Sequence, residues 1–177
     1  MAQGFNLDDA IRKVPDFPKK GILFYDITSI LMNPSAYRYC IDSMIKKYKN
    51  ERIDAVAAVE SRGFLFAAPF AERMGVPLIL VRKKGKLPGR TVSKAYALEY
   101  GQAEIEIHAD DIPSGGRVLL VDDLVATGGT LRAAADILSE AGADPIGVFC
   151  VIGLPFLRYE ETLHGLPVVT LIEYFGE

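Results

Sequence analysis

The sequence predicts an α/β fold, a central parallel sheet flanked by helices on both faces. Three observations lead there. Five short apolar runs, at 55–59, 78–81, 117–121, 146–152 and 168–172, have the β-branched or small-residue character of strands buried on both sides. Stretches of helical periodicity fall between several of them, the alternation that a parallel sheet requires. One of these strands also runs through two acids into a glycine-rich turn. Residues 118–130 read Val-Leu-Leu-Val-Asp-Asp-Leu-Val-Ala-Thr-Gly-Gly-Thr.

The elements follow in chain order. Asn33 is placed to cap a helix with Pro34 at its first position, and Tyr37, Cys40, Ile41, Met44, Ile45 and Tyr48 form its apolar stripe. Ala55 to Val59 is the first strand of the sheet. Residues 63–74 read as a helix closed by Gly75 and Pro77, with Pro69 expected to disturb its middle. Leu78 to Val81 is the next strand, and the basic segment Arg82-Lys83-Lys84-Gly85-Lys86-Leu87-Pro88-Gly89 follows it. Thr91 to Tyr96 then pairs with a half-exposed strand in which Ile105 and Ile107 alternate with Glu104, Glu106 and His108, the two joined through a turn at Tyr100-Gly101. After the strand at 117–121, Leu131, Ala134, Ala135 and Leu138 mark a helix from Leu131 to Ala141. The runs at 146–152 and 168–172 complete the sheet.

Composition bounds the reading. A chain of 177 residues, half of them hydrophobic, fits a single domain over 1–177 and buries a core without disulfides. Cys40 and Cys150 fall within apolar patterns without CxxC spacing, so both are expected as buried free thiols. A net charge of −3 argues against a nucleic-acid partner. No apolar run approaches the length of a membrane span, and the N-terminus lacks a basic and apolar leader, so a cytoplasmic location without membrane contact is expected.

Three segments carry chemistry. Ala126, Thr127, Gly128, Gly129 and Thr130 supply backbone N–H groups and hydroxyls at a helix N-terminus, which favours a phosphate. Asp122 and Asp123, just upstream, suit the hydroxyls of a sugar, so the pair of features reads as a ribose 5-phosphate site. Neither a Walker loop nor the Gly-x-Gly-x-x-Gly dinucleotide signature is present. The cations of the basic segment follow a strand expected to end at the ligand, where they would close over a pyrophosphate. In Glu60-Ser61-Arg62-Gly63, Gly63 permits close backbone approach and Arg62 can fork onto a diphosphate oxygen. His108 and His164 are the only histidines and sit in no motif, so they read as structural or surface residues.

The order of motifs resembles a known family. Asp16-Phe17-Pro18, the run Gly21-Ile22-Leu23-Phe24-Tyr25-Asp26-Ile27-Thr28, Glu60-Ser61-Arg62-Gly63-Phe64, the basic segment, Leu98-Glu99-Tyr100-Gly101 and the acid-plus-glycine loop together resemble the adenine phosphoribosyltransferases. The resemblance implies a type I phosphoribosyltransferase-like fold with a small N-terminal hood over residues 1–33 and a flexible β-hairpin lid over 82–108, assembled as a homodimer. It implies the reaction of adenine with 5-phosphoribosyl pyrophosphate (PRPP) to give AMP and pyrophosphate. Mg²⁺ would be bound through PRPP and water, with no direct protein ligand. By the same resemblance Ala126 to Thr130 hold the 5′-phosphate, and Asp122 and Asp123 face the ribose. Arg62, Arg82, Lys83 and Lys86 bind pyrophosphate, Leu23, Phe24 and Tyr25 read adenine, and Glu99 is catalytic. Glu60–Ser61 is the candidate for a cis peptide. The chain departs from the pattern at Tyr25, where Arg or Lys is expected, at Lys20, where Pro is frequent, and at Ala67, where Gly is frequent. Two alternatives stand beside this reading: the same transfer to hypoxanthine, guanine or xanthine, and a PRPP-sensing regulator, which would need a winged-helix segment or basic face that the sequence lacks.

Overall fold

The computed structural model describes residues 5–97 and 102–176. Its elements run β1 (Arg12–Pro15), β2 (Leu23–Asp26), α1 (Thr28–Leu31), α2 (Pro34–Tyr48), β3 (Ala55–Val59), α3 (Gly63–Met74), β4 (Leu78–Lys83), β5 (Thr91–Ala97), β6 (Gln102–His108), β7 (Arg117–Val125), α4 (Gly129–Glu140), β8 (Asp144–Gly153), α5 (Tyr159–Thr162) and β9 (Val168–Glu173). Seven strands form one sheet in the order β5-β6-β4-β3-β7-β8-β9. The five strands from β4 to β9 are parallel, as expected, and β6 and β5 add an antiparallel hairpin at one edge. β1 and β2 form a separate two-stranded antiparallel sheet.

Helices cover both faces. α2 and α3 press Met44, Phe66 and Phe70 onto Val56, Ala58, Leu119 and Val121. On the opposite face α4 packs Leu131, Ala134 and Leu138 against Ala57, Val118 and Leu120. Alternate residues of β3 and β7 thus enter different cores, as the two-residue period of a strand dictates. Asn33 caps α2 as its sequence position implies, its side chain accepting from the N–H groups of Ser35 and Ala36. Cys40 and Cys150 are free and buried. Among the described residues no helix is long and apolar enough to cross a membrane.

Four local expectations are corrected. β7 does not stop at Val121 but continues to Val125, so both acids lie within the strand. β4 likewise continues through Arg82 and Lys83, which pair with Glu106 and Ile105 of β6 rather than starting a loop. α4 begins at Gly129, two residues before the apolar stripe, and ends at Glu140. α3 runs unbroken through Pro69. Proline removes the N–H that would bond the Leu65 carbonyl one turn earlier. Here the Tyr37 hydroxyl of α2 donates to that carbonyl, so the orphaned acceptor is satisfied by the neighbouring helix.

This compensation is testable by a double-mutant cycle in urea. Tyr37→Phe should cost about 0.5–1.5 kcal/mol, the net worth of one hydrogen bond. In a Pro69→Ala background, where the helix recovers its own N–H, the same substitution should cost clearly less. Equal costs in the two backgrounds would show that Tyr37 does not serve the proline.

Candidate active site

The site forms where β7 outruns its neighbour. β3 pairs with β7 only from Ala55↔Val118 to Ala58↔Val121, whereas β7 stays paired with β8 as far as Val125↔Gly153. Beyond Val121 the β3 side of β7 is open, so Asp122 and Asp123 both line a cavity although their side chains leave opposite faces of the strand. The chain order reverses about β3, with β4 on one side and β7 on the other, and open α/β sheets bind ligands at such a point, beyond the carboxyl ends of the strands. The cavity, about 190 Å³, also takes in Glu60, Ser61, Arg62, Lys83, Tyr96 and Thr130. Gly63 lets α3 start hard against this strand end. A Cβ there would sit 2.9 Å from both Asp122 Oδ1 and the Val121 carbonyl. The Glu60–Ser61 peptide that leads into it is cis.

The acids are unequally served. Asp122 Oδ1 accepts the N–H of Asp123 at 2.8 Å. Arg62 Nε stands 2.8 Å from Asp123 Oδ2, but that buried oxygen accepts no well-aligned hydrogen bond. Burial pushes the Asp122 carboxyl well above the ordinary carboxylate range, and the neighbouring Asp123 charge adds to it. Asp123 is also raised by burial, against the opposing pull of Asp122 and Arg62.

The basic segment is organised by two other carboxylates. Glu60 accepts from Arg82 Nε and Nη2 at 3.3 and 3.2 Å and from the Lys83 N–H at 2.9 Å. Glu106, only 2 % exposed, accepts the N–H groups of Lys86 and Leu87 at 2.8 and 2.9 Å and the Thr91 hydroxyl at 3.2 Å. Both are held below the ordinary range, Glu60 by Arg82 first and Glu106 by the Leu87 N–H first. Glu106 is therefore not on a solvated face as the alternation of its strand implied. Arg82, proposed from sequence as a pyrophosphate contact, is engaged with Glu60 and with the Lys86 carbonyl at 3.1 Å. Lys83 lines the cavity, and Lys86 is exposed on the loop.

Beside the first cavity lies a second, of about 120 Å³, lined by Ala126 to Thr130 together with Asp122 and Leu124. Gly128 adopts a left-handed conformation, φ +82°, and caps α4 without a side chain. The first N–H groups of the helix are thus left for a ligand or solvent. Thr130 Oγ1 donates to the Tyr96 hydroxyl of β5 at 2.9 Å, and both residues line the first cavity. Lys94, on the same face of β5, pairs with Asp136 and Glu140 of α4.

Leu23, Phe24 and Tyr25 all lie on β2, apart from both cavities. Phe24 meets Phe17 edge to face at 5.0 Å, and Phe17 is half exposed. Tyr25 is buried and stacks on Tyr174, with ring centroids 3.8 Å apart. Its ring is thus committed to the protein rather than to the groove. Glu99 lies outside the described residues.

Comparison with known proteins agrees with this geometry. Residues 26–163 match the phosphoribosyl transferase domain family. A Treponema denticola adenine phosphoribosyltransferase is 63% identical over 171 residues, covering 97% of this chain and 90% of its own. The chain belongs to the adenine phosphoribosyltransferase family. The crystal structure of the Thermoanaerobacter pseudethanolicus adenine phosphoribosyltransferase superposes with a TM-score of 0.91 at 44% identity, over 96% of this chain and all of that one. A Saccharomyces cerevisiae adenine phosphoribosyltransferase, complexed with an iminoaltritol bisphosphate and adenine, superposes at 0.88 with 38% identity, over 94% and 96% of the two chains.

For this adenine phosphoribosyltransferase-family chain, sequence reasoning overlooked Glu106 and Tyr96. Glu106 carried no signal beyond alternation, because its partners are backbone N–H groups of a loop. Tyr96 could be placed on a strand but not opposite Thr130, a contact across 34 residues.

The strain in the acid pair yields a prediction. A carboxyl whose pKa rises on folding costs stability as pH climbs from about 4, its unfolded value, through the raised value, and the full cost is present above both. Asp122→Asn keeps an acceptor for the Asp123 N–H and removes the charge. It should stabilise the protein at pH 7 by about 0.5–2 kcal/mol, the range typical of relieving a functional site. The gain should shrink toward about pH 4. Urea melts at several pH values check this, and a variant no more stable than wild type at pH 7 would contradict it.

Proposed function

We propose that the protein transfers the 5-phosphoribosyl group of PRPP to adenine, giving AMP and pyrophosphate, the activity for which its relatives are named. The observation that carries this reading is the continuity of the two cavities, which share Asp122, Leu124 and Thr130. A phosphate cradle, a pair of acids and a cationic strand end thus follow one another along a single groove, in the order of a 5′-phosphate, a ribose and a diphosphate.

The roles divide along that groove. Ala126 to Thr130 receive the 5′-phosphate at the start of α4. Asp122 and Asp123 accept the ribose hydroxyls, and the unbonded Asp123 Oδ2 has capacity for one. Arg62, Lys83 and Lys86 face the pyrophosphate. Arg82 acts on it indirectly, by fixing the strand end through Glu60. Leu23 and Phe24 on β2 read the base, and Glu99 assists at the reacting centre. Residues 1–33 form the hood and 82–108 the lid of one domain.

Cleavage of the bond from C1′ to pyrophosphate develops positive charge on the ribose, as glycosyl transfer generally does. The protein's task is to align the base nitrogen with C1′, to balance the departing charge and to exclude water. Mg²⁺, when bound with PRPP, offsets diphosphate charge. The donors present suit a hydrated ion: of the three carboxylates that line the groove, Glu60 is taken up by Arg82 and the Lys83 N–H, which leaves Asp122 and Asp123 to accept from the water or sugar hydroxyls around it. A homodimer and a cytoplasmic location complete the proposal.

Adenine-dependent release of pyrophosphate from PRPP with Mg²⁺ is the direct test. Release should require adenine, with hypoxanthine and guanine poor substitutes. Equal rates with all three purines would replace the base assignment, and no adenine-dependent release would overturn the activity. Glu99→Ala should lower kcat by about 10²–10⁴-fold, the range for a positioned acid or base, with little change in PRPP affinity. An unchanged kcat would remove Glu99 from the chemistry.

A further inference from the structure

The hood strand that carries Leu23 and Phe24 has no ladder to the main sheet. A two-stranded sheet is marginal by itself, so side chains must set where it sits. Its ends are anchored by Ile11, Ile27 and Ile30, all buried in the core beneath α2. Between those anchors Leu23 and Tyr25 pack against the core, and Tyr174 adds a tie to both strands of the hairpin. Tyr174 follows β9, and its N–H donates to the Gly153 carbonyl at the end of β8, at 3.1 Å. Its ring stacks on Tyr25 with an interplanar angle of 12°. Its hydroxyl donates to Asp8 Oδ1 at 2.5 Å. Lys13 of β1 pairs with Asp8 at 2.8 Å and lies 5.3 Å from the Tyr174 ring centroid. The Tyr25 hydroxyl reaches the Gly176 carbonyl at 3.3 Å. Both strands of the hood therefore converge on one aromatic side chain fixed to the parallel sheet.

We propose that Tyr174 is a positioning residue for the base: it sets where β2 stands relative to the groove, and so tunes base affinity without touching the base. The inference rests on the reading of β2 as the base-binding strand. Tyr25 and Phe24 are consecutive, so they leave opposite faces of the strand, and a shift at Tyr25 is passed to Phe24 through a rigid backbone. It also accounts for Tyr25 where the family resemblance leads one to expect a cation. An aromatic ring can stack on Tyr174, and Lys13 supplies the positive charge beside it instead.

The test is steady-state kinetics with each substrate varied, on wild type, Tyr174→Ala, Tyr174→Phe and Asp8→Asn. Loss of the stack should raise the KM for adenine about three- to tenfold in Tyr174→Ala, while the KM for PRPP stays within about twofold. Tyr174→Phe retains the stack and should lie between wild type and Tyr174→Ala. An adenine KM within twofold of wild type in folded Tyr174→Ala overturns the proposal, and so does an equal rise in both KM values, which would signal general loosening. If Tyr174→Ala does not fold, Tyr174→Phe and Asp8→Asn decide. A selective rise in adenine KM supports the clamp, and unchanged values overturn it. Wild type without adenine-dependent turnover defeats the reading of the site, and the clamp falls with it. Active variants with unchanged adenine KM defeat the clamp alone.

Discussion

The groove is built around the close approach of Gly63 to the end of β7. Without a Cβ at this residue, the first turn of α3 lies against the Val121 carbonyl and the Asp122 carboxylate. The residues just before it inherit their positions from that contact. Arg62 falls beside Asp123, and Glu60 falls where it can take Arg82 and the Lys83 N–H together. A methyl group at 63 would meet backbone on one side and a carboxylate on the other, neither of which can yield cheaply in a packed interior. One small residue thus sets the distance between the acids of β7 and the cations of β4.

Four carboxyl groups border this region, and their environments divide them into two kinds. Glu60 and Glu106 are saturated with donors, so they remain ionised and act as struts for the cationic strand end and the loop after it. Asp123 is buried and Asp122 half-buried, both with few donors, and their ionisation is opposed. The same functional group therefore shapes the protein in one place and is held short of partners in another. A shortage of donors at a buried acid costs stability, and it is relieved by a ligand that brings hydroxyls.

Much of this was legible before any coordinates. The five parallel strands, the capped α2 and the glycine-rich turn that opens α4 follow from local patterns, because period, capping and glycine placement are local properties. That Gly63 permits a close backbone approach was readable from a glycine at the head of a helix, but that the approach is made to the end of β7 was not. What was not legible depends on distant partners. The strand runs on past Val121 because β8 continues to pair with it, which no run of residues around Asp122 discloses. Pro69 breaks nothing because Tyr37 arrives from another helix. Glu106 is buried because a loop folds over it, although its neighbours alternate like those of a solvated strand.

The two ends of the groove are held by different kinds of structure. The acids and the phosphate turn stand on β7, which is hydrogen-bonded on both sides for its first half and packed against a helix on each face. That part of the site is set by a continuous ladder and a close-packed core, which yield little. The hood hairpin belongs to a separate sheet and is joined to the body by side chains. The edge strand β5 has a ladder on one side only, to β6, and meets α4 through Lys94 and Tyr96. Contacts of this kind open at lower free energy than a core strand does. Rigid backbone therefore carries the acid pair and the glycine-rich turn that opens α4. A phosphoribosyl transfer must admit two substrates and release two products, and the elements with fewer ladders to the body are those that open for such traffic at the lower free energy.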